Sequence, residues 1–362
     1  MDFTPTEEQA AARDLAARIF GDLSTPERLT AAGTDSDMGL WKELCAAGLV
    51  AAVEDIGLLG LVLLLEEQGR TTAQVPFAAS CVYGQLAIAA HGSPEQRERL
   101  LPGIADGTVV VAGALHGPGS VVATGADRSS SAAAAERPLL TGIVPVVPWL
   151  RDATHVLVAD DDRHELWLVR TAEASAGEPV ELTAPWSAGR LILQGTPGEP
   201  LGTQGAYEDV LATARTAFAG LQAGVCAGSL ARAVAYTNVR EQFGRPLAAK
   251  QGVQLRAADA YMDIEAIRVT AYEAAWRRDE GLPYGTHALT AAWWASEAGQ
   301  RVVHAGQHLH GGAGADLDHP VHRHFLWGRQ LDAYLGCGGE VLQELGELIV
   351  EGVPMTEGEV AT

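Results

Sequence analysis

Hydrophobic period changes twice along this chain of 362 residues, and that restricts the fold more than any single motif does. A chain this long buries more than one core, so two or three domains are expected. Residues 1–107 read as an all-helical domain, with helix-forming composition at 41–49, 58–68 and 78–90. Thr4-Pro5-Thr6-Glu7 predicts the first helix start, with Thr4 as cap, Pro5 at the first helical position and Glu7 closing a capping box. Ser93-Pro94-Glu95-Gln96 repeats the device. Near Thr108 the texture turns to short β-branched or apolar runs at 109–111, 144–147, 155–159, 165–169 and 190–193. Gly, Pro, Ser and Asp separate them, which predicts a small antiparallel β domain over 108–204. The Ala/Ser-rich stretch 129–135 reads as a mobile loop.

From Tyr207 a period near 3.6 returns. Tyr207, Leu211, Ala214, Phe218, Leu221 and Val225 share one helix face, and Val253, Ala257, Ala260, Ile264, Ile267 and Ala271 share another. Further helices are expected over 286–306 and 320–335, with small residues that permit close packing. Residues 205–362 therefore form a helical bundle, and the class is mainly α with a small β domain. The longest apolar run, 56–65, is too short to cross a bilayer. The acidic N-terminus shows no signal peptide, so a cytoplasmic protein is expected. Cys45, Cys81, Cys226 and Cys337 have no metal-binding spacing and suit a reducing compartment. A net charge of -21 disfavours nonspecific binding to nucleic acid or anionic membrane.

An anionic ligand therefore needs a local basic cluster. Arg240, Arg245, Lys250 and Arg256 supply one around Val239-Arg240-Glu241-Gln242-Phe243-Gly244-Arg245-Pro246, between two helical patterns. That stretch reads as an Arg that grips a phosphate, a Phe packed beside it and a Gly-Arg-Pro turn that restarts the helix. Farther on, His308-Leu309-His310-Gly311-Gly312-Ala313-Gly314 offers glycines that let backbone approach a phosphate or adenine. Asp318-His319-Pro320-Val321-His322-Arg323 follows. His310, His319, His322 and His324 lack a carboxylate or Cys to complete a metal set, so polar helix-surface histidines and no metal are expected.

Together these motifs resemble the acyl-CoA dehydrogenase family, over nearly the whole chain and most strongly after Tyr236. The resemblance implies an N-terminal helical domain, a middle β domain and a C-terminal four-helix bundle. It implies FAD as cofactor, held across a subunit interface. Arg240 matches the Arg on the pyrophosphate, Gln242 and Phe243 its neighbours, and Gln251 a polar contact to the nucleotide. His308, Leu309, Gly311 and Gly312 match the family's Gln-x-x-Gly-Gly element, with His308 where Gln is usual.

Other family features are missing. Dehydrogenation needs a carboxylate that takes the α-proton while hydride leaves the β-carbon. The two positions the family uses for it carry Leu335 and Ala214, neither of which accepts a proton. Asp332 and Glu340 lie near the first and Glu208 and Asp209 near the second. The Thr-Glu-Pro-x-x-Gly-Ser-Asp loop that holds the flavin ring corresponds to Leu115-His116-Gly117-Pro118-Gly119-Ser120. The Ile-Ser/Thr-Asn element becomes Val147-Pro148-Trp149, with bulk expected where the ring would lie. The stretch between Val53 and Leu58 is short where a Pro-Glu-x-x-Gly-Gly loop is usual.

The chain thus resembles the non-catalytic β-type subunits of actinobacterial α2β2 enzymes acting on steroid side-chain CoA thioesters. The resemblance implies a catalytic acyl-CoA dehydrogenase partner holding the flavin ring and the base, with a flavoprotein as electron acceptor. Two alternatives stay open: a self-sufficient homo-oligomer using a displaced carboxylate such as Glu340, and a flavin-free scaffold on the same fold.

Overall fold

Helices come first in the computed structural model, which describes residues 2–117, 119–124, 138–317 and 319–352. They are α1 (Glu7–Leu23), α2 (Pro26–Ala32), α3 (Met38–Ala46), α4 (Val53–Thr71), α5 (Phe77–Ala79), a π-helical stretch Ser80–Leu86, α6 (Ala87–His91) and α7 (Pro94–Ala105). Strands follow: β1 (Val111–Ala114), β2 (Ser120–Thr124), β3 (Leu139–Val147), β4 (His155–Ala159), β5 (Leu166–Arg170), β6 (Ser175–Pro179), β7 (Gly189–Pro197) and β8 (Glu199–Leu201). The remainder is α8 (Ala206–Val239), β9 (Glu241–Gln242), β10 (Arg245–Pro246), α9 (Gln251–Asp279), α10 (Gly285–His310), α11 (Val321–Asp332) and α12 (Gly338–Val350). The expected order of helical, β and helical parts is what the chain adopts. The 129–135 stretch lies outside the described residues.

Two compact units result, one of residues 31–55 and 74–211, the other of residues 1–30, 56–73 and 212–362. In the first, two four-stranded sheets have the orders β1-β4-β5-β8 and β2-β3-β7-β6. Val121, Leu140, Val147, Val156, Val158, Trp167, Leu191 and Leu193 from both sheets join one buried cluster. The sequence pattern predicted antiparallel pairing throughout. The pair β1 and β4 is instead parallel, with Val111 opposite His155. The chain between them makes β2 and β3 of the other sheet, and that long crossover is what a parallel pair requires.

In the second unit, glycines decide how closely helices approach. Gly220, Gly224 and Gly228 recur every four residues on α8 and meet Val62, Glu66 and Arg70, equally spaced on α4. A Cβ at Gly224 would stand 2.1 Å from the Glu66 carbonyl oxygen, and one at Gly228 2.3 Å from that of Arg70. The other side of α8 packs on α10, where a Cβ at Gly299 would overlap Gln222 and one at Gly306 would overlap Ser229. This explains a departure from expectation. A single apolar face was predicted for α8, yet Thr213, Ala214, Arg215, Thr216, Ala217, Phe218 and Ala219 are all buried, so the helix is enclosed on every side over this stretch. Its length and apolarity would suit a membrane span, but 72% of the apolar window is buried inside the protein. On α9 the predicted face holds from Ala260 onward, where Ala260, Ile264, Ile267 and Ala271 are buried, whereas Val253 and Ala257 near the helix start are only half-buried.

Helix starts follow sequence chemistry with one shift. Ser93 and Gln96 form the predicted capping box of α7. At α1 the box is made by Thr6 and Gln9, two residues beyond Thr4. Gln9 reaches back to the Thr6 amide at 3.0 Å and its Nε2 donates to the Ile56 carbonyl, a tertiary contact that fixes the register. Gly57 kinks α4 with φ 70° and ψ -169°. The helix restarts there because the Asp279 carboxylate, from the end of α9, accepts from the amides of Leu58 and Leu59 at 2.8 Å each.

Candidate functional site

The end of α8 feeds directly into the basic motif. The Arg240 amide donates to the Tyr236 carbonyl at 2.9 Å, and the Leu247 amide donates to the Arg240 carbonyl at 2.9 Å. Between them β9 and β10 pair antiparallel, with Arg245 opposite Gln242. The two turn residues, Phe243 and Gly244, have φ of 55° and 72°. Left-handed backbone at both central positions is the geometry of the tightest hairpin turns, and a bulky side chain at the first is uncommon. The expected packing of Phe243 beside Arg240 does not occur within the chain. The turn throws Phe243 outward to 92% exposure, where Lys250 Nζ sits 4.9 Å from the ring centroid.

Arg240 is exposed and has no acidic partner among the described residues. Gln251 is the first residue of α9, whose N-cap, Lys250, makes no side-chain cap. A 29-residue helix thus presents its positive end beside Arg245 and Lys250. The hairpin therefore gathers Arg240, Gln242, Phe243 and Gln251 into an outward-facing, cation-rich edge.

The glycine motif forms the end of α10. Gly311 closes the helix with φ 61° and ψ -136°, a conformation that only glycine adopts without strain. Nothing lies within 4 Å of a Cβ placed at Gly311 or Gly312, so their backbone is open to a ligand. His308 is exposed, whereas the Leu309 side chain is buried and leaves only its backbone to offer. The expectation of surface histidines fails at two positions. His310 is 3% and His324 1% exposed. His324 Nε2 donates to the Arg70 carbonyl at 3.0 Å, and complete burial pushes its pKa down to about 4. No cluster able to hold a metal occurs among the described residues.

The two motifs are joined by a stack. The Tyr236 and His310 rings lie 4.8 Å apart and 26° from parallel, and His319 stands edge-on to His310 at 4.8 Å. Neither contact was anticipated from sequence. Residues 236 and 310 carry no pattern that pairs them until α8 and α10 are packed.

Ala214 and Leu335, which the sequence resemblance aligns with the family's base positions, lie in tightly packed surroundings. Ala214 is fully buried, and Leu335 is 4% exposed with φ 64°. Arg215 Nε donates to the Leu335 carbonyl at 3.2 Å, and its other nitrogens grip both oxygens of Glu344 at 2.8 and 2.7 Å. Glu340 Oε2 accepts from the Cys337 amide at 3.0 Å, capping α12. Asp332 accepts from Ser296 at 2.5 Å and pairs with Arg329. The carboxylates near Leu335 are thus engaged in structure. The cavity lined by Arg215, Phe218, Leu331, Tyr334, Leu335 and Gly336 measures about 20 Å³, room for a water molecule and not an acyl chain.

In the β domain, a cavity of about 40 Å³ lies along Leu115, His116, Gly117, Gly119 and Ser120. Trp149, placed by the sequence where ring contacts would be, has φ 57° and is fully buried, stacked on Trp186 at 4.5 Å. Its bulk fills the interior of its own unit.

The model of the acyl-CoA dehydrogenase N-terminal domain matches residues 6–108, and that of the C-terminal domain matches 204–344. The chain is 32% identical to acyl-CoA dehydrogenase FadE27 of Mycobacterium tuberculosis (strain ATCC 25618 / H37Rv), covering 97% of this chain and 99% of that protein. Among solved structures it is similar to a variant of the Tcur3481-Tcur3483 steroid ACAD, at 41% identity and TM-score 0.88, covering 96% of this chain and 98% of that one. It is also similar to the ChsE4-ChsE5 complex from Mycobacterium tuberculosis, at 31% identity and TM-score 0.88, covering 97% and 99%.

Proposed function

This chain belongs to the acyl-CoA dehydrogenase family, and from that premise we propose that it is the non-catalytic subunit of a heteromeric, FAD-dependent member. The complex introduces a double bond between the α and β carbons of an acyl-CoA thioester. Two similar structures bear paired names, one of them a steroid ACAD, which supports an α2β2 assembly and a steroid side-chain CoA substrate. A flavoprotein electron acceptor and a cytoplasmic location belong to the same reading. So does the division at 107/108 and 204/205.

The observation that carries the proposal is the hairpin. Its guanidinium and aromatic ring face away from their own chain, with no acidic group to neutralise Arg240 among the described residues. Arg240 would hold the pyrophosphate, with Gln242, Phe243 and Gln251 around it. His308 and the backbone of Leu309, Gly311 and Gly312 would meet the adenosine side. These residues fit the ADP half of FAD: a guanidinium fork suits phosphate oxygens, and an uncapped helix start suits their charge. The ring half fits poorly, since Pro148 offers no amide donor and Trp149 is turned inward. When bound, the flavin supplies the hydride acceptor.

Leu335 and Ala214 leave this chain without a proton acceptor at either family position, so abstraction of the α-proton falls to the partner. The test is Arg240→Ala in the complex made by co-expression with a dehydrogenase chain that carries the ring loop and a Glu base. Loss of bound FAD with the assembly intact is the expected result. Full FAD content in that variant, or turnover of acyl-CoA by the isolated chain, contradicts the proposal.

A further inference from the structure

We propose that the Tyr236–His310 stack is a positioning link that holds the Arg240 hairpin and the Gly311–Gly312 turn in register, and that it holds only while His310 is neutral. The inference rests on the nucleotide-cradle reading and adds its control. Tyr236 carries one half of the cradle through its backbone, because its carbonyl accepts the Arg240 amide at 2.9 Å. Its ring carries the other half, because it lies against His310, the last residue of α10 before Gly311. Displacing that ring therefore disturbs both motifs at once.

The protonation requirement follows from the imidazole's surroundings. Nδ1 donates to the Gly306 carbonyl at 2.7 Å, which leaves Nε2 as the lone-pair nitrogen. Nε2 is buried and has no hydrogen-bond partner. A proton added there would have no acceptor. The groups facing it are Tyr236 and Arg232 from α8 and His319 from the segment before α11, none of them anionic near neutrality. Burial lowers the His310 pKa first, and the charges of His319 and Arg232 lower it further, against the Gly306 bond. Below the ordinary histidine range a protonated His310 is more stable outside this pocket than in it. The stack then opens, and stability present above about pH 6.5 is lost as pH falls.

Amide hydrogen exchange tests this on the purified chain without nucleotide, so the result is independent of whether FAD binds. Segments 240–247 and 306–316 are followed at pH 7.5 and 5.5, corrected for intrinsic rates. Both are expected to exchange faster at the lower pH in the wild type, and together, by at most about tenfold, the ceiling that an unfolded histidine pKa near 6.5 allows. His310→Phe keeps a ring for Tyr236 and cannot titrate, so its protection should match the wild type at pH 7.5 and persist at 5.5. His310→Asn keeps a donor toward Gly306 without the ring, and should expose both segments at either pH. An acid response that survives in His310→Phe, or a His310→Asn effect confined to 306–316, overturns the proposal.

Discussion

Arg240 and His324 show how differently a cationic side chain behaves outside and inside this protein. Arg240 is exposed and unmatched, so its replacement should cost binding and not folding. A charged hydrogen bond to phosphate contributes about 1.5–3 kcal/mol, so Arg240→Ala should weaken FAD binding by roughly ten- to a hundredfold with an unchanged melting temperature. Titration of the complex with FAD, alongside thermal denaturation, separates the two. His324 is the opposite case. Its folded pKa of about 4 lies below the unfolded value of 6.5, so the unfolded chain binds the proton more tightly. Its contribution is full above 6.5 and is lost as pH falls toward 4, on the order of 3 kcal/mol in all. His324→Gln keeps a donor toward Arg70 and removes the titration. Urea unfolding between pH 7 and 5 should show a shallower loss of stability in that variant, and equal slopes would refute the assignment. The sequence motif made Arg240 legible because its neighbours are local. It misplaced His324, because the carbonyl it serves lies 254 residues away.

Elements are held by two devices that differ in how openly the sequence announces them. Asp279 supplies both acceptors at the restart of α4, where Leu58 and Leu59 would otherwise lack a cap. Asp279→Ala should destabilise by about 2–4 kcal/mol, measured by chemical denaturation, while Asp279→Asn retains part of the loss through one remaining acceptor. The glycine row 220, 224 and 228 lets α8 lie against α4, and Gly224→Ala forces a methyl onto the Glu66 carbonyl. About 1–3 kcal/mol of overpacking is expected there, again by denaturation, and an unchanged midpoint would mean the helices separate without cost. Periodicity reveals which segments are helices, and small residues hint at close packing. Neither gives the partner of a given glycine or the distant carboxylate that caps a helix. The shift of the α1 cap from Thr4 to Thr6 has the same origin, since Gln9 is fixed by Ile56. The parallel β1–β4 pair was equally hidden: strand composition marks β runs but not the direction in which they meet.

On the scale of the whole molecule, the changes of period near residues 108 and 207 made the order of helical, β and helical parts legible. The candidate cradle was legible wherever its residues are contiguous: the hairpin, the start of α9 and the end of α10. The stack that joins them was not, and neither was the engagement of Glu340 and Glu344 in a cap and an ion pair. Those engagements occupy the two carboxylates, Glu340 and Glu344, that follow Leu335 most closely on α12 and contact its neighbourhood. In the proposed division of labour, this chain supplies an ADP cradle and its partner supplies the flavin ring pocket and the base. Counting FAD per chain in the purified complex, by absorbance after denaturation against quantified polypeptide, tests it most directly. One FAD for each pair of unlike chains is the predicted result; one FAD for every chain would mean that this β domain holds a ring of its own, and the two chains would not divide the work.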